Sequence, residues 1–283
     1  MSAQADYELI YHAGIPGRGE FIRLFLEATA TPYIDSALVQ GQSAVKPYLD
    51  GSFEGNDRNP LVFAPPVLKH GRVVISQTPN ILLYLSTHVA SLIDLSSRSG
   101  GDPEPGSSAS TDDVSSQSKK KVKVSPQSLT DDDDATVYHV NSLVLTILDL
   151  NNEAHDTHHP TAVSAFYEDQ KPEAIKKAKA FRTERVPKFF DHLHQVLEKS
   201  SGDWLLGDRE TAADLCLFQV VDGLRFAFPK LMGQLLPRYP KILAHYDLVK
   251  DAPRIKAYLG SERRQKYSMG VFRYYPELDA EDA

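Results

Sequence analysis

The stretch from Phe63 to Leu85, FAPPVLKHGRVVISQTPNILLYL, constrains the chain most, because it admits one local order: strand, turn, strand, helix. Pro65 and Pro66 form a rigid segment that cannot donate to a sheet ladder, and either is a candidate for a cis bond. Val67-Leu68 is a short apolar run, His70-Gly71-Arg72 supplies the turn, and Val73-Val74-Ile75 is a β-branched run that fits a pleated surface. Thr78 is placed to cap the helix that follows. Pro79 suits its first position, where a missing N–H costs nothing. Ile81, Leu82 and Leu85 then share one face. The unpaired N–H groups at such a helix start attract anions. Beside a rigid proline segment they make a place for a small peptide-like anion.

Upstream, Tyr7–Tyr11 reads as a strand, 12–16 as a loop, 17–30 as a helix carrying Phe21, Leu24, Phe25 and Ala28, and 31–34 as a second strand. A short helix is expected over 40–50 and a polar loop over 52–60. With the hairpin, the first part has the order βαβ-ββα and a mixed sheet. Composition changes after about residue 94. Ser, Gly, Pro and charge dominate to about 130, with too few apolar side chains to offset the entropy of ordering, so 94–130 is expected to be a disordered linker. Its KKKVK run, Lys119–Lys123, reads either as a solvated charge run or as a nuclear-import patch.

Beyond the linker every segment has helical spacing. Thr130 and Asp131–Asp134 suit a helix start, and Val137, Val140, Leu143, Val144, Ile147 and Leu148 carry that helix toward Pro160. A long helix over 172–197 is expected to kink at Pro187, and Thr211–Asp214 has the form of a capping box. Tyr239-Pro240 and Ala252-Pro253 each open a further helix, and an aromatic tail over 266–283 is expected to fold back over the helices, either walling an apolar pocket or simply packing on their surface.

The net charge of −7 argues against a general nucleic-acid binder, and no apolar run approaches the length of a membrane span. Cys216 is the one cysteine, which excludes an internal disulfide, and among Leu215, Leu217 and Phe218 it is expected in the core. The first residues carry no basic and apolar leader pattern. A reducing, cytoplasmic setting is expected.

Pro66-Val67-Leu68, a turn, a strand and Ser76-Gln77-Thr78 resemble the glutathione-binding half of the cytosolic glutathione transferases. GDRETAADLCLF resembles the start of that family's buried sixth helix. YPKILAHYDLVKDAPRIKAYL, with Pro253, Ile255, Tyr258 and Leu259, resembles its last helix pair. The resemblance implies an α/β N-terminal thioredoxin-like domain over 1–93 and an all-α helical C-terminal domain over 131–265, with 94–130 inserted between them. It implies a glutathione S-transferase that conjugates glutathione to an electrophilic small molecule, without a metal and as a homodimer. Detoxification or secondary metabolism is the corresponding role. The alternatives are a non-catalytic binding or assembly module of the same fold, or a glutathione-dependent isomerase or dehalogenase.

Glutathione chemistry requires a thiol of pKa about 8.5 to be held as thiolate near neutrality, by a hydroxyl donor or a cation beside the sulfur. Tyr11 is the only hydroxyl between Glu8 and Glu20. YHAGIPGRGEFIRL is similar to the Tyr-type classes, so the resemblance gives Tyr11 the thiolate-stabilising role and Arg18 an electrostatic one. The plainer readings are a packing aromatic for Tyr11 and an ion pair with Glu20 for Arg18. By the same resemblance Pro65 and Pro66 meet the cysteinyl backbone, and Gln77 and Thr78 the γ-glutamyl end. Pro65, however, has no N–H to donate, and Ala64 stands where Gln or Lys is frequent. By position Lys46, Arg58 and Asn59 are candidates for the glycine carboxylate, plain surface residues being the alternative reading. His155 and His159 stand four apart in EAHDTHHP, a metal-ligand spacing, but Pro160 ends the helix and a dipole role explains them equally. His155 and Tyr167 are candidates for touching the second substrate.

Overall fold

Four short strands lie in the first eighty residues, and their side chains alternate between two faces that must both be covered. The computed structural model describes residues 6–89 and 132–280. The expected linker with its Lys119–Lys123 run, the Thr130 cap and the side chains of Asp131–Asp134 lie outside what is described. In the first stretch, β1 (Tyr7–Ile10) pairs in parallel with β2 (Tyr33–Asp35) and antiparallel with β3 (Val67–His70), which pairs antiparallel with β4 (Val73–Ser76). The order is β2-β1-β3-β4, the mixed sheet expected. Register places Leu9 opposite Leu68 and Ile10 opposite Val67. Leu9 and Leu68 face the main core. Ile10 and Val67 face a smaller cluster with Val45 and Tyr48 on the other side.

α1 (Glu20–Ala28) and α4 (Thr78–His88) cover the main face. The helix expected over 17–30 begins as a single 3-10 turn, Gly17–Gly19, before α1 proper. The 40–50 helix is split into a 3-10 turn and α3 (Lys46–Leu49), preceded by α2 (Ser36–Val39), which Asp35 caps through the Ala37 N–H at 3.1 Å. Thr78 does not cap α4. Gln77 holds the cap position, with no side-chain cap bond, and Thr78 is the first helical residue.

The second stretch is helical throughout: α5 (Asp132–Asp156), α6 (Lys171–Ala180), α7 (Val186–Lys199), α8 (Ala212–Ala227), α9 (Pro229–Leu235), α10 (Pro240–Asp251) and α11 (Pro253–Leu259). The expected irregularity at Pro187 is a π turn over Phe181–Arg185 between α6 and α7. A proline inside a helix lacks one N–H and crowds the carbonyl four residues earlier, and widening the preceding turn relieves both. α8 is apolar nearly all round, with 13 of its 16 residues buried, as a central helix must be. Cys216 lies in it, fully buried, with its thiol pushed up by burial and by Asp214.

The Thr211 capping box is formed. Asp214 accepts from the Thr211 N–H at 2.7 Å, the Leu205 N–H at 2.8 Å and His245 Nε2 at 2.9 Å. One carboxylate thus ties α8, the 204–208 loop and α10 together. The tail packs on this bundle. Phe272 lies directly on the α8 backbone, where a Cβ at Gly223 would stand 2.3 Å from its ring. The Asp279 carboxylate caps α9 through the Lys230 and Leu231 N–H groups at 2.7 and 3.1 Å.

Replacing Asp214 by Ala strips partners from several buried donors at once, so unfolding free energy in urea should fall by about 3 kcal/mol or more. A loss under about 1 kcal/mol would show that the carboxylate is not the joint it appears from its bonds.

Candidate active site

Tyr11 is the first residue beyond β1, and its side chain lies across the start of the next helix. A Cβ at Gly17 would stand 2.4 Å from the Tyr11 hydroxyl oxygen, and one at Gly19 2.7 Å from Cγ of the ring. Gly17 also has φ +47°, where side chains are strained. The Gly-Arg-Gly spacing therefore lets the backbone touch the phenol. Between the glycines, the Arg18 N–H donates to the Tyr11 hydroxyl oxygen at 2.9 Å. Tyr11 is 5 % exposed. Burial raises its pKa against the lowering effects of the Arg18 N–H and the charges of Arg18 and Arg23. The phenol stays protonated at neutral pH. Its lone pair receives the Arg18 N–H, and its own O–H remains to be donated to a neighbouring anion.

The Arg18 side chain crosses to α5 and donates to Asn152 Oδ1 at 2.9 Å. It is not the partner of Glu20, which is buried with Arg23 and Arg264. His155, one turn from Asn152 on α5, has its pKa lowered by burial and by the charges of Arg18 and Arg273, against the bond that its Nδ1–H donates to Asp156 at 3.3 Å. The rings of His155, His158 and His159 stand 4.8 to 5.3 Å apart. His158 Nε2–H donates to the Val271 carbonyl at 2.9 Å, and burial takes its pKa down to about 3. Neutral histidines with crowded rings pack as aromatics. Among the described residues no group of three or more His, Cys, Asp or Glu is arranged to hold a metal ion.

The second half of the site comes from the cis Pro65–Pro66 peptide and the start of α4. Gln77 is exposed with φ +72°, which turns the chain sharply into the helix. Thr78 is buried, and its hydroxyl donates to the Arg18 carbonyl at 3.5 Å. Thr78 thereby links the α4 start to the residue whose N–H holds Tyr11. The tail closes a further side: Ser268 donates to the Gly14 carbonyl at 3.3 Å, and Gly270 lies against Ile15. Tyr11, Arg18, Thr78 and His155 are therefore brought together.

Other candidates have other partners. The Asn59 side chain donates to the Arg72 carbonyl and accepts from the Val74 N–H, both at 2.9 Å, so both its polar ends are used to pin the loop to the hairpin. Tyr167 is buried, stacked on Tyr275 at 3.8 Å, and donates to Glu277 at 3.1 Å. It anchors the tail. Lys46 pairs with Asp50, and Arg58 is exposed, with its backbone N–H held by Asn56. Sequence reasoning missed Asn152 and Arg273, since neither lies in a motif. The two glycines that seat Tyr11 were present in the quoted GRGE pattern.

The family profile described as "Glutathione S-transferase, C-terminal domain" matches residues 155–262. A glutathione S-transferase of Plasmodium yoelii yoelii is 29% identical over 87 residues, 31% of this chain and 40% of that protein. The class-mu 28 kDa isozyme of Schistosoma bovis is 30% identical over 129 residues, 44% of this chain and 54% of that protein. The Pi-class glutathione S-transferase of Onchocerca volvulus has the same fold, with TM-score 0.58 at 19% identity over 90% of this chain and 92% of its own. The helical half over 155–262 thus matches the C-terminal domain of the glutathione S-transferases, and the chain shares their fold. The sequence matches span about half the length of these two relatives or less, whereas the structural match runs through both halves of the fold.

The seating of Tyr11 has a direct readout. With tyrosines labelled at Cζ, the NMR signal lost in Tyr11→Phe should keep its neutral-phenol position through pH 10 in the wild type, because burial outweighs the nearby charges. Ionisation of that signal below pH 10 would contradict this balance.

Proposed function

We propose that this chain is a glutathione transferase, binding glutathione on the sheet domain and a small electrophile between that domain and the helices. The observation that carries the reading is the Arg18 N–H on the Tyr11 hydroxyl oxygen, which polarises a protonated phenol at the start of α1. A glutathione sulfur beside that phenol would lose its proton to solvent and be held as thiolate by the Tyr11 O–H. The guanidinium of Arg18 would add favourable charge. The thiolate then attacks an electrophilic carbon, forming the C–S bond as the leaving group departs with its electron pair, or as a polarised double bond takes up the pair and a proton. Thiolate stabilisation and proximity supply the rate.

Pro65 and Pro66 would meet the cysteinyl backbone and Gln77 and Thr78 the γ-glutamyl end, with Lys46 and Arg58 at the glycine carboxylate. His155 and Arg273 would face the electrophile. A homodimer and a cytoplasmic location complete the reading, the dimer being testable by light scattering, where a monomer at micromolar concentration would contradict it.

The thiolate absorbance of bound glutathione, followed against pH, tests the proposal. The bound thiol should titrate below the free value of about 8.5, and in Tyr11→Phe it should move up by about one unit or more, with kcat/KM on a generic electrophile falling on the order of 10²-fold. An unshifted titration in the variant would remove Tyr11 from the chemistry.

Pro65 favours the second reading, a binding module without catalysis. It has a carbonyl but no N–H, so glutathione loses one hydrogen bond worth about 0.5–1.5 kcal/mol. Absence of glutathione binding at millimolar concentration by calorimetry would favour that module. An isomerase or dehalogenase would share the same thiolate and differ in the electrophile alone.

A further inference from the structure

Away from Tyr11, a cavity of about 280 Å³ lies where α1, α4 and α5 meet the loop before α8. Phe25, Leu82, Val140 and Val144 give it apolar walls, and Glu210 lines it. Glu210 immediately precedes the Thr211 cap of α8. A residue there ordinarily makes an apolar contact with the fourth helical residue, here the buried Leu215. A carboxylate at that position is anomalous, and its surroundings do not compensate it. Oε1 of Glu210 is sealed from solvent with no hydrogen-bond partner among the described residues.

The charged groups nearby do not supply a partner. Asp214 is itself an acceptor, already engaged by Leu205, Thr211 and His245. Arg209 also lines the cavity, but it is exposed and faces Asp208 at 3.8 Å. Burial, and then the charge of Asp214, push the Glu210 carboxyl up to about 7. Its folded value lies above its unfolded one, so this group's contribution to stability is fully present below about 4.5 and is lost as pH rises toward about 7. A half-buried carboxylate that weakens the fold at neutral pH and lines an apolar cavity suits a donor with a hydrocarbon body.

We propose that this cavity binds a small molecule bearing a protonated amine on an apolar body, the ammonium donating to Glu210 and the hydrocarbon filling the space between α4 and α5. The ammonium selects the carboxylate form, so binding releases the proton that Glu210 holds at lower pH. Affinity therefore rises with pH up to about 7 and stays level until the amine itself deprotonates, near the ordinary amine value of about 10.4. The site is independent of the glutathione reading.

Hexylamine and hexanol are the probes, with calorimetry and thermal shift on the full chain. At pH 8 hexylamine should bind at least about tenfold tighter than hexanol, and its affinity should fall about tenfold per pH unit below 7. Glu210→Gln should abolish both the preference and the pH dependence. Glu210→Leu, which restores the apolar contact with Leu215, should be more stable than wild type at pH 8 and blind to the amine. Equal binding of the two probes, a pH-independent affinity in the wild type, a preference retained in Glu210→Gln, or no hexylamine binding at millimolar concentration would overturn the proposal. The wild-type pH profile decides the matter even if a variant fails to fold.

Discussion

Glu20 is a fully buried carboxylate at the first position of α1, and the geometry around Tyr11 depends on it. It pairs with Arg23 at 3.3 Å and with Arg264, and it accepts from the Tyr258 hydroxyl at 2.7 Å. Arg23 reaches on to Asp35 at 2.6 Å and to the Pro16 carbonyl at 3.2 Å. Burial disfavours the charge on Arg23, but Glu20 and Asp35 outweigh it and keep the guanidinium charged. Removing one member of such a cluster leaves an uncompensated charge in low dielectric, so the cluster is held together as a unit. Through Pro16 and Glu20 it fixes both ends of the turn whose middle residue, Arg18, donates to Tyr11. Two of its members, Tyr258 and Arg264, come from the helical half. The sheet half carries the phenol, but the helical half completes the frame that aims it.

The same frame extends into the tail. Arg264 also meets Asp222 at 3.1 Å, which accepts from the Tyr267 hydroxyl at 2.8 Å. From Tyr267 onward the chain is pinned by Phe272 on Gly223, by the Tyr275–Tyr167 stack, by Glu277 with Lys171 at 2.5 Å, and by Asp279 on α9. These anchors hold Ser268 and Gly270 against the Gly14–Ile15 loop and bring the Arg273 charge to the three histidines. Arg18 and Arg273 have no carboxylate partner among the described residues, whereas Arg23 and Arg264 do. Charge is thus neutralised where it holds the fold and left without a carboxylate partner beside Tyr11 and the three histidines.

Much of this was legible in the sequence because it rests on local rules. The hairpin and α4 follow from β-branched runs and Pro79, and the α8 start from the Thr211–Asp214 spacing. Thr78 is displaced by one position, since the positive φ of Gln77 turns the chain before the helix begins. The contacts of Asn59 and Tyr167 were not legible, because their partners, Arg72, Val74 and Glu277, lie 13 to 110 residues away. Such pairings carry no periodicity. Nothing in GDRET distinguishes a half-buried Glu210 from a solvated one, because the cavity it lines is built with residues of α4 and α5.

The most direct test of the account is a crystal structure with glutathione bound. It predicts the sulfur about 3 Å from the Tyr11 hydroxyl oxygen, with the Arg18 N–H still on that oxygen and the γ-glutamyl end at Gln77 and Thr78. A sulfur held elsewhere, with Tyr11 still packed under Gly17 and Gly19 and donating to nothing, would contradict it.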